Sequence, residues 1–285
     1  SDVTGVGTAR RDLGAAMYGG DKAIFAYGYI SSYSSLSNLV SNSGVVASDT
    51  SGVGSARAGV RAANYGADKA IFAYGYNAYV SMSNLVNSSG VVASDVTGVG
   101  TARAGLAAAG YGVDKAIFAY GTTSGASEIV SMSNLVTNAG VVGSDVSGVG
   151  TARSGLAAAR YGTQTAIFAY GVTSGVQSMS NLVNSSGVIA SDVSGVGTAR
   201  QNLAAAEYGG ISSRKAIFAY GETSGNVSLS NLVNTSGVIA SDVTGVGTAR
   251  DYLTACDYGG DKGIFGFGQT ASAAAMTNLV SNAGV

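Results

Sequence analysis

The sequence predicts an all-β fold made of six copies of one small sheet, and three observations support this prediction. A unit of about 47 residues recurs six times along the 285-residue chain. Each copy contains short apolar runs bounded by glycine or asparagine, and no copy shows an apolar pattern of helical period and length. The two ends of the chain carry complementary parts of one copy. Together these observations favour six sheets arranged radially in a ring.

The first two predicted strands are clearest in the third copy. Residues 102–111 read ARAGLAAAGY and are dominated by small side chains, which suits an inner strand that is crowded by its counterparts around an axis. Residues 115–120 read KAIFAY, alternate in side-chain size and are followed by Gly121. We therefore expect Ile117, Phe118 and Tyr120 to pack between neighbouring sheets, where there is more room.

A third apolar region begins at Met132 and divides into two predicted strands. It is interrupted by Asn138-Ala139-Gly140, and asparagine and glycine readily adopt the positive φ angles that tight turns require. The parts before and after this turn read MSNLVT and VVGSDVS. The sequence thus predicts four antiparallel strands in each copy.

Six copies of a four-stranded unit are typical of a six-bladed β-propeller. The last copy stops at Val285, within the turn before its fourth strand, and residues 1–5 read SDVTG, which matches the remainder of that strand. We expect the N-terminal strand to complete the last blade, which would close the ring and remove an exposed sheet edge. We interpret the chain as one domain, residues 1–285, with repeat boundaries near Arg10, Arg57, Arg103, Arg153, Arg200 and Arg250.

The repeat resembles that of kelch-type propellers. The repeat arginine and a segment rich in small residues are followed by an apolar strand that ends in glycine (Gly121, Gly171) and, after a variable loop, by Ser-Asn-Leu-Val. The resemblance covers all six copies and implies the propeller fold, with an RCC1-like propeller as the alternative. The near-identical copies are also similar to repeat proteins of environmental phages or to recently amplified propellers. The phage resemblance implies a host-contact role and a virion or extracellular location.

Composition argues against several functions. The net charge is −1 and 11% of residues are charged, so the basic stripe that nucleic-acid binding requires is missing. No apolar run approaches the roughly 18 residues of a membrane span. The chain has no histidine and one cysteine, so it lacks the usual general base near neutral pH and the commonest metal ligand. The Gly-Val-Gly runs precede strands rather than helices, which argues against a nucleotide site. We expect no metal, no cofactor and no enzymatic activity.

Every copy carries an aspartate eight residues before the repeat arginine. We expect this pair to form a structural clamp between the outer strand of one blade and the inner strand of the next, because the guanidinium fork bonds a carboxylate and carbonyls together. The alternative is a ring of guanidinium groups that holds an anion near the channel mouth. The expected pairs are Asp2–Arg10, Asp49–Arg57, Asp95–Arg103, Asp145–Arg153, Asp192–Arg200 and Asp242–Arg250.

The copies differ mainly in the loop between the second and third strands, in the two residues after each repeat arginine, and seven residues after it. Strand alternation places the first two variable sets on one face, around the channel. We expect this edge to bind a ligand, although drift of tolerant surface loops explains the variation equally well. The candidate ligand-binding residues are Tyr29, Tyr33, Tyr76, Tyr79, Gln201, Asn202, Asp251 and Tyr252.

These observations leave two function classes open. The first is a monomeric, non-catalytic recognition or adhesion module that binds a glycan or protein ligand at the channel edge, where weak contacts at several blades add together. The second is a purely structural repeat scaffold, amplified or engineered, without a specific ligand. An enzyme is the least favoured class, because Glu128, Glu207 and Glu222 are scattered over different copies.

Overall fold

The computed structural model of the protein describes residues 1–125 and 128–285. Within these residues the chain forms 18 strands and one 3₁₀ turn, Ile211–Ser213. The strands make six three-stranded antiparallel sheets, one from each repeat. No helix in the described ranges is long and apolar enough to cross a membrane. The fold is therefore all-β and built from six repeated sheets.

The strands of each sheet follow chain order, so that each sheet has an inner, a middle and an outer strand. The inner strands are β1 (Gly14–Tyr18), β4 (Arg61–Tyr65), β7 (Ala107–Tyr111), β10 (Ala157–Tyr161), β13 (Ala204–Tyr208) and β16 (Thr254–Tyr258). The middle strands are β2 (Lys22–Ala26), β5 (Lys69–Ala73), β8 (Lys115–Ala119), β11 (Thr165–Ala169), β14 (Lys215–Ala219) and β17 (Lys262–Gly266). The outer strands are β3 (Ser37–Val40), β6 (Ser83–Val86), β9 (Ser133–Val136), β12 (Ser180–Val183), β15 (Ser230–Val233) and β18 (Thr277–Val280).

The prediction of four strands per blade is wrong. In the third repeat the segment after β9 pairs with it at two isolated bridges, Val136 with Val142 and Ser133 with Val146. The register shifts by one residue between these bridges, so that two residues of the segment lie opposite Asn134. Such a bulge interrupts the hydrogen-bond ladder. The fourth segment therefore follows the sheet edge without forming a strand.

The core lies between neighbouring sheets, as the alternation in the middle strands predicts. Ile117, Phe118 and Tyr120 are fully buried. Tyr120 packs on Phe168 of the next sheet with ring centroids 5.5 Å apart, and Phe25 of the first sheet packs on Phe267 of the last at 5.2 Å. Burying such side chains stabilises a fold by about 1.5–3 kcal/mol each. The interfaces between sheets therefore supply most of the apolar burial.

Backbone hydrogen bonds join the six sheets in cyclic order. The N–H of Gly121 donates to the carbonyl of Arg153 in the next sheet at 3.0 Å, and Gly268 of the last sheet donates to Arg10 of the first at 3.1 Å. Strand β1 contacts both β4 and β16. Near the chain start, Val3 forms an antiparallel bridge with Thr277 on β18. The N-terminal segment thus lies beside the outer strand of the last sheet.

Candidate functional site

The repeat arginine of each blade is a buried structural group. Arg103 is fully buried and lies over the ring of Tyr74 from the preceding sheet, with Cζ 4.4 Å from the ring centroid. Its guanidinium donates to the carbonyls of Tyr120 at 3.0 Å and Thr101 at 3.1 Å, and to Asn134 Oδ1 at 2.6 Å. These contacts tie the inner, middle and outer parts of one blade to its neighbour. The alternative of exposed guanidinium groups that hold an anion does not fit this burial.

The aspartate partner of each arginine differs from the predicted one. Arg103 pairs with Asp145 at the end of its own repeat, 3.8 Å away, instead of Asp95 eight residues earlier in the chain. Asp145 accepts hydrogen bonds from the N–H and hydroxyl of Thr101 and from Asn134 Nδ2. Each aspartate therefore links the beginning and end of one blade. The glycine turn between an aspartate and the next arginine in the chain carries that arginine away into the following blade.

The same pair occurs in all six blades with nitrogen–oxygen distances of 3.5–4.0 Å. Asp2 fills this position in the last blade, where it accepts from Thr248 and Asn278. The observed pairs are Arg10–Asp49, Arg57–Asp95, Arg103–Asp145, Arg153–Asp192, Arg200–Asp242 and Arg250–Asp2.

These contacts shift the titration of the aspartates. Partial burial raises the pKa of Asp145. Hydrogen bonds from Thr101 and Asn134, together with the charge of Arg103, outweigh that effect, so the pKa lies below its ordinary value. The other five repeat aspartates show the same direction for the same reasons. The network thus favours the ionised carboxylate.

Above this network, a circle of six residues surrounds one mouth of the central channel. Each lies two positions after a repeat arginine and has a positive φ of 48–63°. Backbone hydrogen bonds join five of the six neighbouring pairs, all but Gly59 and Gly105; examples are Asp12 N–H to the Tyr252 carbonyl at 2.9 Å and Tyr252 N–H to the Asn202 carbonyl at 3.0 Å. The six are Asp12, Gly59, Gly105, Gly155, Asn202 and Tyr252. The backbone at this mouth is therefore well defined even though its side chains vary.

The channel below this mouth is narrow. Two cavities of about 40 Å³ each lie along it, which is room for roughly three water molecules in each. One alanine from every inner strand lines both cavities: Ala15, Ala62, Ala108, Ala158, Ala205 and Ala255. A ligand larger than a few water molecules therefore does not fit inside the channel.

Four of the predicted aromatic residues form a continuous shelf beside the mouth. Tyr29 and Tyr33 follow β2, Tyr76 and Tyr79 follow β5, and bridges pair Tyr29 with Arg11 and Tyr76 with Ala58. Their rings meet edge to face, with centroid distances of 5.5 Å for Tyr29–Tyr33, 5.9 Å for Tyr33–Tyr76 and 5.2 Å for Tyr76–Tyr79. Tyr76 is 42% exposed. We call these four residues the tyrosine shelf.

An acidic pocket lies next to the tyrosine shelf. Asp251 is 5% exposed, and its Oδ1 has no hydrogen-bond partner among the described residues. Burial and the neighbouring carboxylate of Glu222 raise the pKa of Asp251 to about 6, with a smaller contribution from Asp12 and an opposing one from Arg11. Burial, Asp12, Asp251 and Glu222 likewise raise the pKa of Tyr252. We call Asp12, Glu222, Asp251 and Tyr252 the acidic pocket.

Arg11 connects the pocket and the shelf. Its guanidinium lies over the rings of Tyr29 at 5.2 Å and Tyr252 at 6.0 Å and donates to the side-chain oxygen of Gln269. Gln269 in turn pairs with Asp251 through the backbone. We call the shelf, the pocket, Arg11 and Gln269, together with the predicted residues Gln201 and Asn202, the rim.

All eight predicted ligand-binding residues lie on this one surface, and ligand binding there stays a prediction. Gln201 Nε2 donates to Glu222 at 3.3 Å, and Asn202 lies in the circle beside Tyr252. Sequence reasoning missed Arg11, Asp12, Glu222 and Gln269, although each occupies a slot whose residue differs between copies. In the described ranges, no group of three His, Cys, Asp or Glu side chains lies close enough to hold a metal ion.

The opposite mouth carries a second group of charges that the sequence did not reveal. Glu207 pairs with Arg214 at 2.7 Å, while Arg160 donates to the Gly112 carbonyl and leaves its Nε without a partner among the described residues. Burial and Glu207 raise the pKa of Asp257 to about 7. Glu207, expected to stand alone, therefore neighbours another carboxylate. The sequence feature that points to this group of charges is the variable position seven residues after each repeat arginine.

Comparisons with known proteins show the fold but no family. No protein-family model matches the chain, and no curated protein matches it. The chain is similar to a solved structure described as "Structure of YjhT", with a TM-score of 0.71 and 10% identity over 98% of this chain and 96% of that one. At this identity the likeness supports a repeated, propeller-like β-sheet fold. It does not show the kelch-type or phage resemblance.

Proposed function

We propose that the chain is a six-bladed propeller, closed by its N-terminal segment, that recognises a glycan or peptide ligand at the rim and catalyses no reaction. The observation that carries this proposal is the gathering of aromatic, amide and acidic side chains at one channel mouth. Exposed tyrosines supply large contact areas at small entropic cost, and amides supply adaptable hydrogen bonds. Such a surface is typical of recognition.

The rim also has the rigid support that a binding surface needs. Its side chains vary between blades, but they stand on a circle of backbone hydrogen bonds and on sheets whose interiors are nearly the same in every copy. Binding residues on a rigid frame lose little conformational entropy when a ligand arrives. A monomer of this kind offers different chemistry at each blade, so that weak contacts add together.

Glycan and peptide arrays probed with the purified protein test the proposal. The repeats supply substitutions that the fold already accepts: Tyr76→Thr copies Thr122 of the third repeat, and Tyr252→Gly copies Gly59, Gly105 and Gly155. We expect both variants to weaken binding about tenfold, because each removes a large aromatic contact. Asp68→Gln, which copies Gln164 in a turn on the opposite face, is the control and should bind as the unmodified protein does.

Three outcomes would contradict the proposal. Unchanged binding by both tyrosine variants would place the ligand elsewhere on the molecule. Absence of any array ligand would favour the alternative of a purely structural scaffold. Saturable turnover of a bound compound would contradict the non-catalytic assignment.

A further inference from the structure

The acidic pocket contains a buried hydrogen-bond acceptor that the protein leaves unused. Asp251 is only 5% exposed, yet its Oδ1 accepts no hydrogen bond from the described residues. A buried polar atom without a partner is unfavourable and rare in folded proteins. Asp251 therefore keeps one acceptor that no described protein donor satisfies.

The charges around Asp251 favour a cationic donor. Glu222 and Asp12 both repel the Asp251 carboxylate. Arg11 offsets this repulsion in part, but its guanidinium is also engaged by Gln269 and by the rings of Tyr29 and Tyr252. A positive group placed between Asp251 and Glu222 would relieve the repulsion and satisfy Oδ1 at once.

We infer that the rim binds ligands that carry a protonated primary amine, whose ammonium group lies between the carboxylates of Asp251 and Glu222. The inference rests on the function proposed above and names the chemical group that the rim selects. An ammonium donates three hydrogen bonds, which matches two carboxylates and the nearby hydroxyl of Tyr252. Larger ligands extend past Arg11 toward the tyrosine shelf.

Matched pairs of small probes test this inference. Nα-acetyl-lysine N-methylamide and glucosamine carry the amine on a lysine side chain and on an amino sugar. The Nε-acetylated form of the first and N-acetylglucosamine are the neutral counterparts. Titrations of the full chain followed by NMR at pH 7 should show at least one amine binding about tenfold more tightly than its neutral counterpart. The probe with the larger preference identifies the source of the amine.

Substitutions taken from other repeats locate the binding group. Asp251→Ala copies Ala58 and Ala104, and Glu222→Thr copies Thr122, so both side chains are already accepted at these slots. Each should reduce amine affinity about tenfold, so that the preference for the amine over its neutral counterpart is lost. Asp68→Gln should change nothing. Amine affinity should also fall as the pH decreases through about 6, where Asp251, facing Glu222, Asp12 and Arg11, takes up a proton.

The outcomes separate this inference from the proposed function. Equal binding of amine and neutral probes, or equal binding by the Asp251 and Glu222 variants, overturns the inference. If array ligands still bind in a manner that depends on Tyr76 and Tyr252, the recognition role stands without the amine. If neither arrays nor probes yield a ligand, both proposals fail together.

Discussion

At the scale of single residues, the buried repeat arginine explains why each copy keeps the same polar set. A guanidinium in an apolar interface is unfavourable unless most of its donors are satisfied. Arg103 meets this condition with two carbonyls, Asn134 and Asp145 around its edge and Tyr74 beneath its plane. The guanidinium is planar, so it donates to acceptors around its edge while one face packs on an aromatic ring. A lysine ammonium has no such plane and cannot replace it.

The substitution Arg103→Lys measures the contribution of this network. Lysine cannot reach three acceptors in one plane, and we expect a loss of about 2–3 kcal/mol in the free energy of unfolding. Denaturation by urea reports the change, and Lys115→Arg at the exposed start of β8 is the control, with no shift expected. An unchanged midpoint for Arg103→Lys would show that the network does not stabilise the fold.

The repeat aspartates make stability depend on acid. Their folded-state pKa values lie below the ordinary value of 3.8, so their stabilising contribution is complete above about pH 4 and is lost as the pH falls through the folded pKa. We expect the melting temperature to decrease steeply below about pH 4. In Asp145→Asn the decrease should be shallower, because one of six such groups is removed. A melting temperature that stays constant down to about pH 3 would contradict this account.

At the scale of elements, glycines with positive φ shape the connections between blades. Gly100 has φ 78°, and a Cβ at this position would lie 2.5 Å from both Asn134 Nδ2 and Asp145 Oδ1. The glycine is required for two reasons: the left-handed backbone and the close approach of the polar network. Neither reason applies to Gly175. Its φ lies outside the left-handed region, and an alanine Cβ there would have no neighbouring atom within 4 Å.

The pair Gly100→Ala and Gly175→Ala tests this difference. The first should destabilise the protein by about 1–3 kcal/mol, because it strains the backbone and displaces the Asn134–Asp145 hydrogen bond. The second should be neutral or slightly stabilising. Thermal unfolding of both variants measures the effect. Equal melting temperatures would mean that the turn adapts without cost.

The sequence predicts strands well where the pattern within one copy decides the structure. Strand β8 begins at the predicted residue and ends one residue early, and Ile117 and Phe118 are buried as expected. The fourth strand fails because its pairing depends on a register shift opposite Asn134, which no alternation pattern reveals. The aspartate pairing fails for a similar reason: residues eight apart in the chain are separated by a turn, and the true partner comes from the other end of the repeat.

At the scale of the whole molecule, the ring arrangement creates contacts that no single copy contains. The acidic pocket joins Asp12 of the first repeat with Glu222 of the fifth and Asp251 of the sixth. Comparing the copies identifies these slots as variable, but it cannot show that they face one another. The tyrosine shelf was easier to predict, because its members occupy the same loop of adjacent repeats.

Closure of the ring is the claim on which the rim and its pocket depend. The N-terminal segment repeats in the last blade the contacts that an internal segment makes elsewhere, with Val3 paired to Thr277 and Asp2 paired to Arg250. If this segment were displaced, the first and last blades would lose a shared support, and Asp12 and Asp251 would no longer be held together.

A disulfide between positions 3 and 277 tests closure most directly. Val3 and Thr277 exchange both backbone hydrogen bonds, and Cα atoms in such pairs lie about 5.5 Å apart, within the range of a disulfide. In a Cys256→Ala background, which copies the alanine of the other repeats, Val3→Cys with Thr277→Cys should oxidise to a monomer without free thiols. Val3→Cys with Thr137→Cys, near the third sheet, should stay reduced. Free thiols in the first variant, or a bond formed between two molecules, would contradict a closed ring.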